Sequence, residues 1–366
     1  MLDEPILIGS EIFHRTGMTS RHPLACPKTA PALDLIRALG WIDAETYVES
    51  PKATPRRLRM FHESAYIDAV MDAAAMDHVT NEARTRFGIG TDGNPFFPGV
   101  IDRASVACGA AIRAASLLTE GGIVHSPLGG GHHAQPARAR GFCYFNDVVL
   151  GILTLLDNGL NRICYIDLDA HHGDGVEAAF ARQPSVLTIS IHEEECWPYS
   201  GTESNPARGI INLPVPSEFN DSELSFLLDE VILPLLEVHR PEAIVVQAGA
   251  DSLADDPMMT LGLSNRAYFR SIDSLSRVAP RLLVMGGGGY NPWAVARCWA
   301  GIWGVLTGRD LVGALPETAE DVLKSLIGNW HSDSEPPDHW LTTIADKENT
   351  GRVRDAIKQI ASSISC

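Results

Sequence analysis

From residue 98 onward, short unbroken apolar runs alternate with longer stretches in which apolar positions recur every third or fourth residue. Unbroken runs bounded by turn residues fit strands covered on both faces, and the wider spacing fits helices that bury one side. The runs are GIVHSP (122–127), RICYIDLDA (162–170), VLTISIH (186–192), AIVVQAGA (243–250) and RLLVMG (281–286). Helical stretches lie between them, among them FNDVVLGILTLLD (145–157) and SELSFLLDEVILPLLEVH (222–239). This alternation predicts an α/β fold: a mostly parallel central sheet flanked by helices. The first hundred residues read as helices and loops, clearest over 27–39 and 62–74, and the polar tail beyond Asn329 reads as a loop plus a last helix over 351–364. No linker rich in Pro, Gly or Ser and no internal repeat divides the chain, so a single domain over 1–366 is expected.

Composition narrows the function. Hydrophobic residues make up 45% and charged ones 20%, enough for a sizeable core and ordinary for a globular protein. A formal charge of −17 repels nucleic acid backbones and attracts cationic ligands, so direct nucleic acid binding is not expected. Seven cysteines without CxxC spacing argue against a disulfide framework and fit a reducing cytoplasm, with Cys108, Cys164 and Cys298 expected as buried thiols. The acidic opening MLDEPILIGS does not read as a signal peptide, and no apolar window is long enough for a membrane span.

Four polar clusters follow four of the predicted strands: GGGHH (129–133), DLDAHHGD (167–174), GADS (249–252) and GGGGY (286–290). In an open parallel sheet ligands bind beyond the carboxyl ends of the strands, so these segments are expected at one mouth. Taken singly, each is ordinary: glycine runs make turns, an Asp after a strand caps a helix, and GGGGY lacks the spacing of a dinucleotide loop. Taken together they supply a metal site. Asp169 and His171 are two residues apart and fall on one side of an extended segment. With Asp251 they give three ligands and leave a coordination position for water and substrate. Two carboxylates and one imidazole are a harder set than His-rich zinc sites, which keeps Fe(II) and Co(II) beside zinc. Asp167 and Asp174 are placed to orient His132 and His133 as acid/base groups, and Tyr290 to donate to a developing oxyanion.

Through GGGHHA, GFCYFNDVVLGI, IDLDAHHGDGVEAAF, VLTISIH, GADSLADDPM and GGGGYN, the chain resembles the histone deacetylase family over roughly residues 10–310. The resemblance implies an arginase/deacetylase fold and a zinc-dependent amidohydrolase that removes acetyl or a similar short acyl group from an amine on a flexible stem. It makes Asp169, His171 and Asp251 the zinc ligands, His133 with Asp174 the general acid/base, His132 with Asp167 its electrostatic partner, and Tyr290 the group that polarises the carbonyl. It also implies an acyl-lysine tunnel with Phe142 and Tyr199 as aromatic walls, Gly141 beside the substrate and Met258 near the mouth. Structural potassium ions are implied as well, one at Asp167, Asp169, His171, Ser190 and the Ile191 carbonyl, and a second near Phe180 and Val186.

The sequence departs from the commonest pattern at CWPYSG (196–201) and at Gly131, where a large aromatic residue is frequent; both positions shape the tunnel and its foot. Asp92, in GTDGNPFFPG (90–99), is a candidate clamp on substrate backbone or amine and equally a turn former. Substrates are therefore an acylated lysine peptide or, alternatively, an acetylated polyamine. Arginase chemistry lacks its expected aspartate beside GGGHH. A non-catalytic binding module would have lost a ligand, a histidine or the tyrosine, and none is missing.

Overall fold

A computed structural model of the chain describes residues 2, 4–15, 22–327 and 335–364. Its strands are β1 (Ile6–Gly9), β2 (Tyr47–Glu49), β3 (Gly122–Ser126), β4 (Ile163–Asp167), β5 (Val186–Glu193), β6 (Ile210–Val215), β7 (Ala243–Gln247) and β8 (Arg281–Met285). All eight join one sheet in the order β2-β1-β3-β8-β7-β4-β5-β6. Every pairing is parallel. The central strands β4 and β7 are buried at every position, as their unbroken apolar runs require. Helices Val100–Leu117 and Asp147–Asp157 pack on each other and on this sheet, as do Asn265–Ser276 and Pro292–Leu306.

All five predicted strands form, and four of them end within three residues of the start of a polar cluster. There are three further strands: β1 and β2 correct the expectation that the first hundred residues hold only helices and loops, and β6 adds one between β5 and β7 along the chain. β1 and β2 are four and three residues long, too short to carry a pattern. β6 pairs only with β5, so it is an edge strand and tolerates Pro214, whose missing N–H would break an inner ladder. The helical stretch predicted over 222–239 is one run with a π-helical turn at Leu228–Ile232 just before Pro234, where a ring without an N–H cannot continue a regular turn. The last helix is Asp355–Ile364; Asn329 and Cys366 lie outside the described residues. The six described cysteines are unpaired thiols, with Cys108, Cys164 and Cys298 buried. Among the described residues no helix is long and apolar enough to cross a membrane.

Two histidines outside the site link stability to pH. His62 accepts the Asn146 N–H at Nε2 (3.0 Å), and its Nδ1 lies 3.1 Å from the Gln135 carbonyl; His125 lies within β3 with Nδ1 3.1 Å from the Val284 carbonyl. Burial pushes each down to about 4. The unfolded chain binds these protons near pH 6.5 and the folded chain does not, so stability is full above about pH 6.5 and falls as pH drops toward 4. Calorimetry should show an unfolding midpoint that declines as pH drops from about 6.5 toward 4; a midpoint constant down to about pH 4.5 would contradict this.

Candidate active site

β3, β8, β7 and β4 are neighbours in the sheet, and the four polar clusters are the loops that leave their carboxyl ends. Strands about 4.8 Å apart thus bring segments distant in sequence within side-chain reach of one another. Their loops line a single cavity of about 460 Å³ that includes His132, His133, Asp169, His171, Asp251 and Tyr290.

Asp169, His171 and Asp251 each offer a ligand atom, all within 4.8 Å of one another. His171 Nδ1 lies 3.1 Å from Asp169 Oδ1 and 3.1 Å from Asp251 Oδ2. β4 has ended at Asp167, so a loop rather than strand alternation brings Asp169 and His171 together. Both carboxylates are buried. Burial and the neighbouring charge of Asp169 hold the Asp251 carboxyl above its ordinary range. Burial disfavours a charged His171, yet Asp169 and Asp251 outweigh it and hold the imidazole well above its usual range. Paired buried carboxylates that draw in positive charge, beside an imidazole, are a donor set that fits a divalent metal. A second group of possible ligands, Asp255, His339 and Asp346, is already compensated by Arg297, whose Nη2 is 2.5 Å from Asp346 Oδ1.

Glycine is required beside these ligands. A Cβ on Gly288 would stand 1.9 Å from Asp251 Oδ2 and one on Gly249 2.0 Å from Asp169 Oδ2. The Gly288 N–H donates to Asp169 Oδ2 at 2.7 Å. Gly288→Ala is therefore expected to weaken metal binding by at least about tenfold, the scale seen when groups around metal ligands are disturbed. Zinc titration against a chromophoric chelator measures it, and wild-type affinity would contradict the packing argument.

The two histidines are paired as the resemblance implies. His132 Nδ1 lies 2.8 Å from Asp167 Oδ2, and His133 Nδ1 lies 2.8 Å from Asp174 Oδ1. Each Nε2 is left free of its aspartate. Burial opposes charge on His132, but Asp167 and Asp169 overcome it and take the ring up to about 9. Burial and the adjacent cationic His132 push His133 down to about 3 despite Asp174. One imidazole is cationic and its neighbour, with ring centroids 3.9 Å apart, is a neutral proton acceptor. Burial opposes charge on Asp174, but its hydrogen bond with His133, helped by Arg140 Nε 3.1 Å from Oδ2, holds the carboxyl below its ordinary range.

Tyr290 is buried at the cavity wall, and burial with the charges of Asp251 and Asp169 holds its phenol well above its ordinary range, so it stays a donor. Its backbone N–H donates to Asp256 Oδ2 at 2.7 Å, and Lys28 Nζ lies 4.6 Å from the ring centroid. Phe142 packs edge-on to Tyr290 with centroids 6.3 Å apart and forms the expected wall. Gly141 has φ +56, and a Cβ there would meet Trp197 at 2.4 Å and His133 at 2.6 Å. Met258, 40% exposed, stands where the cavity opens.

Tyr199 is a correction. It is 75% exposed and does not line the cavity; Trp197 forms the second wall, 4.5 Å from the His133 ring. At φ +59 the backbone turns the Tyr199 side chain away, a detail no residue pattern encodes. Asp92 is exposed beside cavity-lining Gly93, with its carbonyl 2.9 Å from His22 Nε2. Ser190 pairs in register with Asp167, and Ile191 follows it on β5; Phe180 and Val186 bracket the turn between helix Asp174–Phe180 and β5. Sequence reasoning missed Asp147, which accepts the N–H groups of Gly130 (2.9 Å) and Gly131 (2.6 Å) and so shapes the loop that carries both histidines. It also missed Trp197, Lys28 and Asp256. The available signal for Asp147 and Asp256 was a carboxylate predicted next to a glycine loop, which also reads as a helix cap or a turn.

A parallel sheet whose strand tips gather these groups places the chain among hydrolases with the arginase/deacetylase-like fold. Comparison with known proteins makes this specific. The histone deacetylase domain family model matches residues 22–306. The chain is 35% identical over 308 residues to putative histone deacetylase 2 of Caenorhabditis elegans, covering 81% of this chain and 60% of that protein's length. It is 31% identical to histone deacetylase 8 of Xenopus tropicalis, covering 77% and 79%. The crystal structure of a histone deacetylase homolog from Aquifex aeolicus superposes with a TM-score of 0.93 at 33% identity over 99% of this chain and all of that one. A structure of a histone deacetylase homolog complexed with SAHA matches equally. The chain belongs to the histone deacetylase family, whose members are hydrolases that deacetylate.

Proposed function

We propose that this protein is a zinc-dependent deacylase that hydrolyses acyl-lysine side chains. The observation that carries the reading is the convergence of Asp169, His171 and Asp251 on one point of a cavity that also holds two carboxylate-backed histidines and a protonated phenol. Zinc held by those three side chains supplies a Lewis acid that polarises the amide carbonyl and lowers the pKa of a water toward about 7. Fe(II) or Co(II) would meet the same donors.

His133 is the general base. Its Nδ1–H donates to Asp174, which leaves Nε2 to take the proton of the attacking water and return it to the leaving amine. The cationic His132 beside it adds positive charge where the tetrahedral oxyanion grows, and Tyr290 donates its O–H to the same oxygen. Acetate and a free amine leave. Phe142 and Trp197 hold the methylene stem between aromatic faces and exclude water, and Asp92 at the mouth offers a carboxylate to the substrate backbone N–H groups. Ser190 beside Asp167, with the Ile191 carbonyl, is proposed to hold a potassium ion that fixes the loop after β4.

The polyamine alternative needs free carboxylates at the rim for a second ammonium group. Asp255 and Asp256 are unsuited to it: Asp255 accepts from Trp340 Nε1 at 2.9 Å, while Asp256 accepts the N–H groups of Tyr290 and Met258. Acetyl-lysine peptides should therefore exceed acetylated spermidine and putrescine in kcat/KM. Near-exclusive turnover of the polyamines would overturn the substrate assignment.

A further inference from the structure

The cavity continues past the catalytic groups. Beyond Tyr290 and the histidines it is walled by Phe13, Leu128 and Trp299 and by one face of helix Val100–Leu117, on which Val100, Ala104 and Ala107 follow one another at helical spacing. A lysine stem with its acetyl group has about seven heavy atoms beyond Cβ, filling roughly 200 Å³ at about 30 Å³ each. The cavity holds about 460 Å³, so an acetyl-lysine side chain would leave more than half of it unfilled.

Among the described residues, the glycines of the loop 129–131 also line this space. The wall facing the helix is the glycine loop, and a Cβ on Gly131 would meet the Phe145 carbonyl oxygen at 2.3 Å, so that position cannot send a side chain inward. Two alanines on the helix and glycine across from them keep the volume open, and the surfaces between are aliphatic and aromatic. Arg103 on the same helix face lays its guanidinium 4.9 Å from the Phe13 ring centroid. Charged groups of both signs, Lys28, Arg103 and Asp147 among them, also line the cavity.

We infer that this protein removes straight-chain aliphatic acyl groups longer than acetyl, with the tail lying along the Val100–Ala104–Ala107 face. The inference rests on the deacylase reading above and specifies its substrate. A longer chain displaces water from apolar walls while its amide stays between Tyr290 and His133, so the added binding falls on the same catalytic geometry.

The test uses the full chain loaded with zinc and one peptide sequence bearing acetyl-, hexanoyl- or glutaryl-lysine. The expected result is a kcat/KM for hexanoyl equal to or above that for acetyl and well above that for glutaryl. Ala107→Phe should lower the hexanoyl-to-acetyl ratio by at least about tenfold, the lower scale for a few methylenes denied an apolar pocket. Ala104→Leu, a smaller change on the same face, should move the ratio in the same direction, with the unfolding midpoint recorded for both variants. Hexanoyl turnover below about a hundredth of acetyl, a ratio unmoved in both folded variants, or glutaryl as the fastest substrate would each overturn the inference. Loss of turnover on all three wild-type assays would instead refute the deacylase reading on which it depends.

Discussion

Replacing Asp251 by Ala is expected to remove tight zinc binding and lower kcat/KM by at least about a thousandfold, ~4 kcal/mol of barrier. The size follows from position: Asp251 supplies one of three donors, and without it Asp169 and His171 leave a two-ligand site. Asp251 Oδ1 also accepts the Ala170 N–H at 3.0 Å, so alanine frees the loop after β4 as well. Asp251→Asn separates the two effects, since its amide oxygen can keep the Ala170 bond while the anionic ligand is lost. Metal analysis and steady-state rates on both variants are the check. Wild-type turnover in either, with the protein free of metal, would refute the assignment.

Tyr290→Phe is expected to leave zinc content unchanged and cut kcat by roughly a hundredfold to a thousandfold, the range for one oxyanion donor. The backbone bond from Tyr290 to Asp256 does not involve the hydroxyl, and the ring contact with Phe142 remains, so the loop should keep its place. Only a donor disappears. KM should change far less than kcat, because the lost bond strengthens as charge develops. An unchanged kcat would remove Tyr290 from the reaction, and a loss of metal would show that it supports the site instead.

The catalytic groups were legible in the sequence because each sits in a cluster directly after a buried strand, where the chain leaves the sheet. Position placed Asp167 and Asp174 beside the two histidines, the resemblance assigned the pairs His132–Asp167 and His133–Asp174, and the structure contains both. Positions set by loop dihedrals were not legible. Tyr199 and Trp197 are both aromatic and two residues apart, and only the turn of the backbone at Tyr199 decides which faces the substrate. The strands that escaped prediction are β1 and β2, four and three residues long, and the edge strand β6, in which Pro214 reads against a strand. The hold of Asp256 on the Tyr290 backbone was not legible, because a carboxylate near a mouth and a carboxylate holding a backbone N–H look alike in one dimension.

The account rests on a single metal ion at the strand tips. Its most direct test is to strip the protein with a chelator and return zinc in measured steps while following deacylation of an acyl-lysine peptide. One equivalent per chain should restore full activity in wild type and none in Asp251→Asn. Full activity in the exhaustively stripped protein, or a requirement for two tightly held manganese ions per chain, would contradict it.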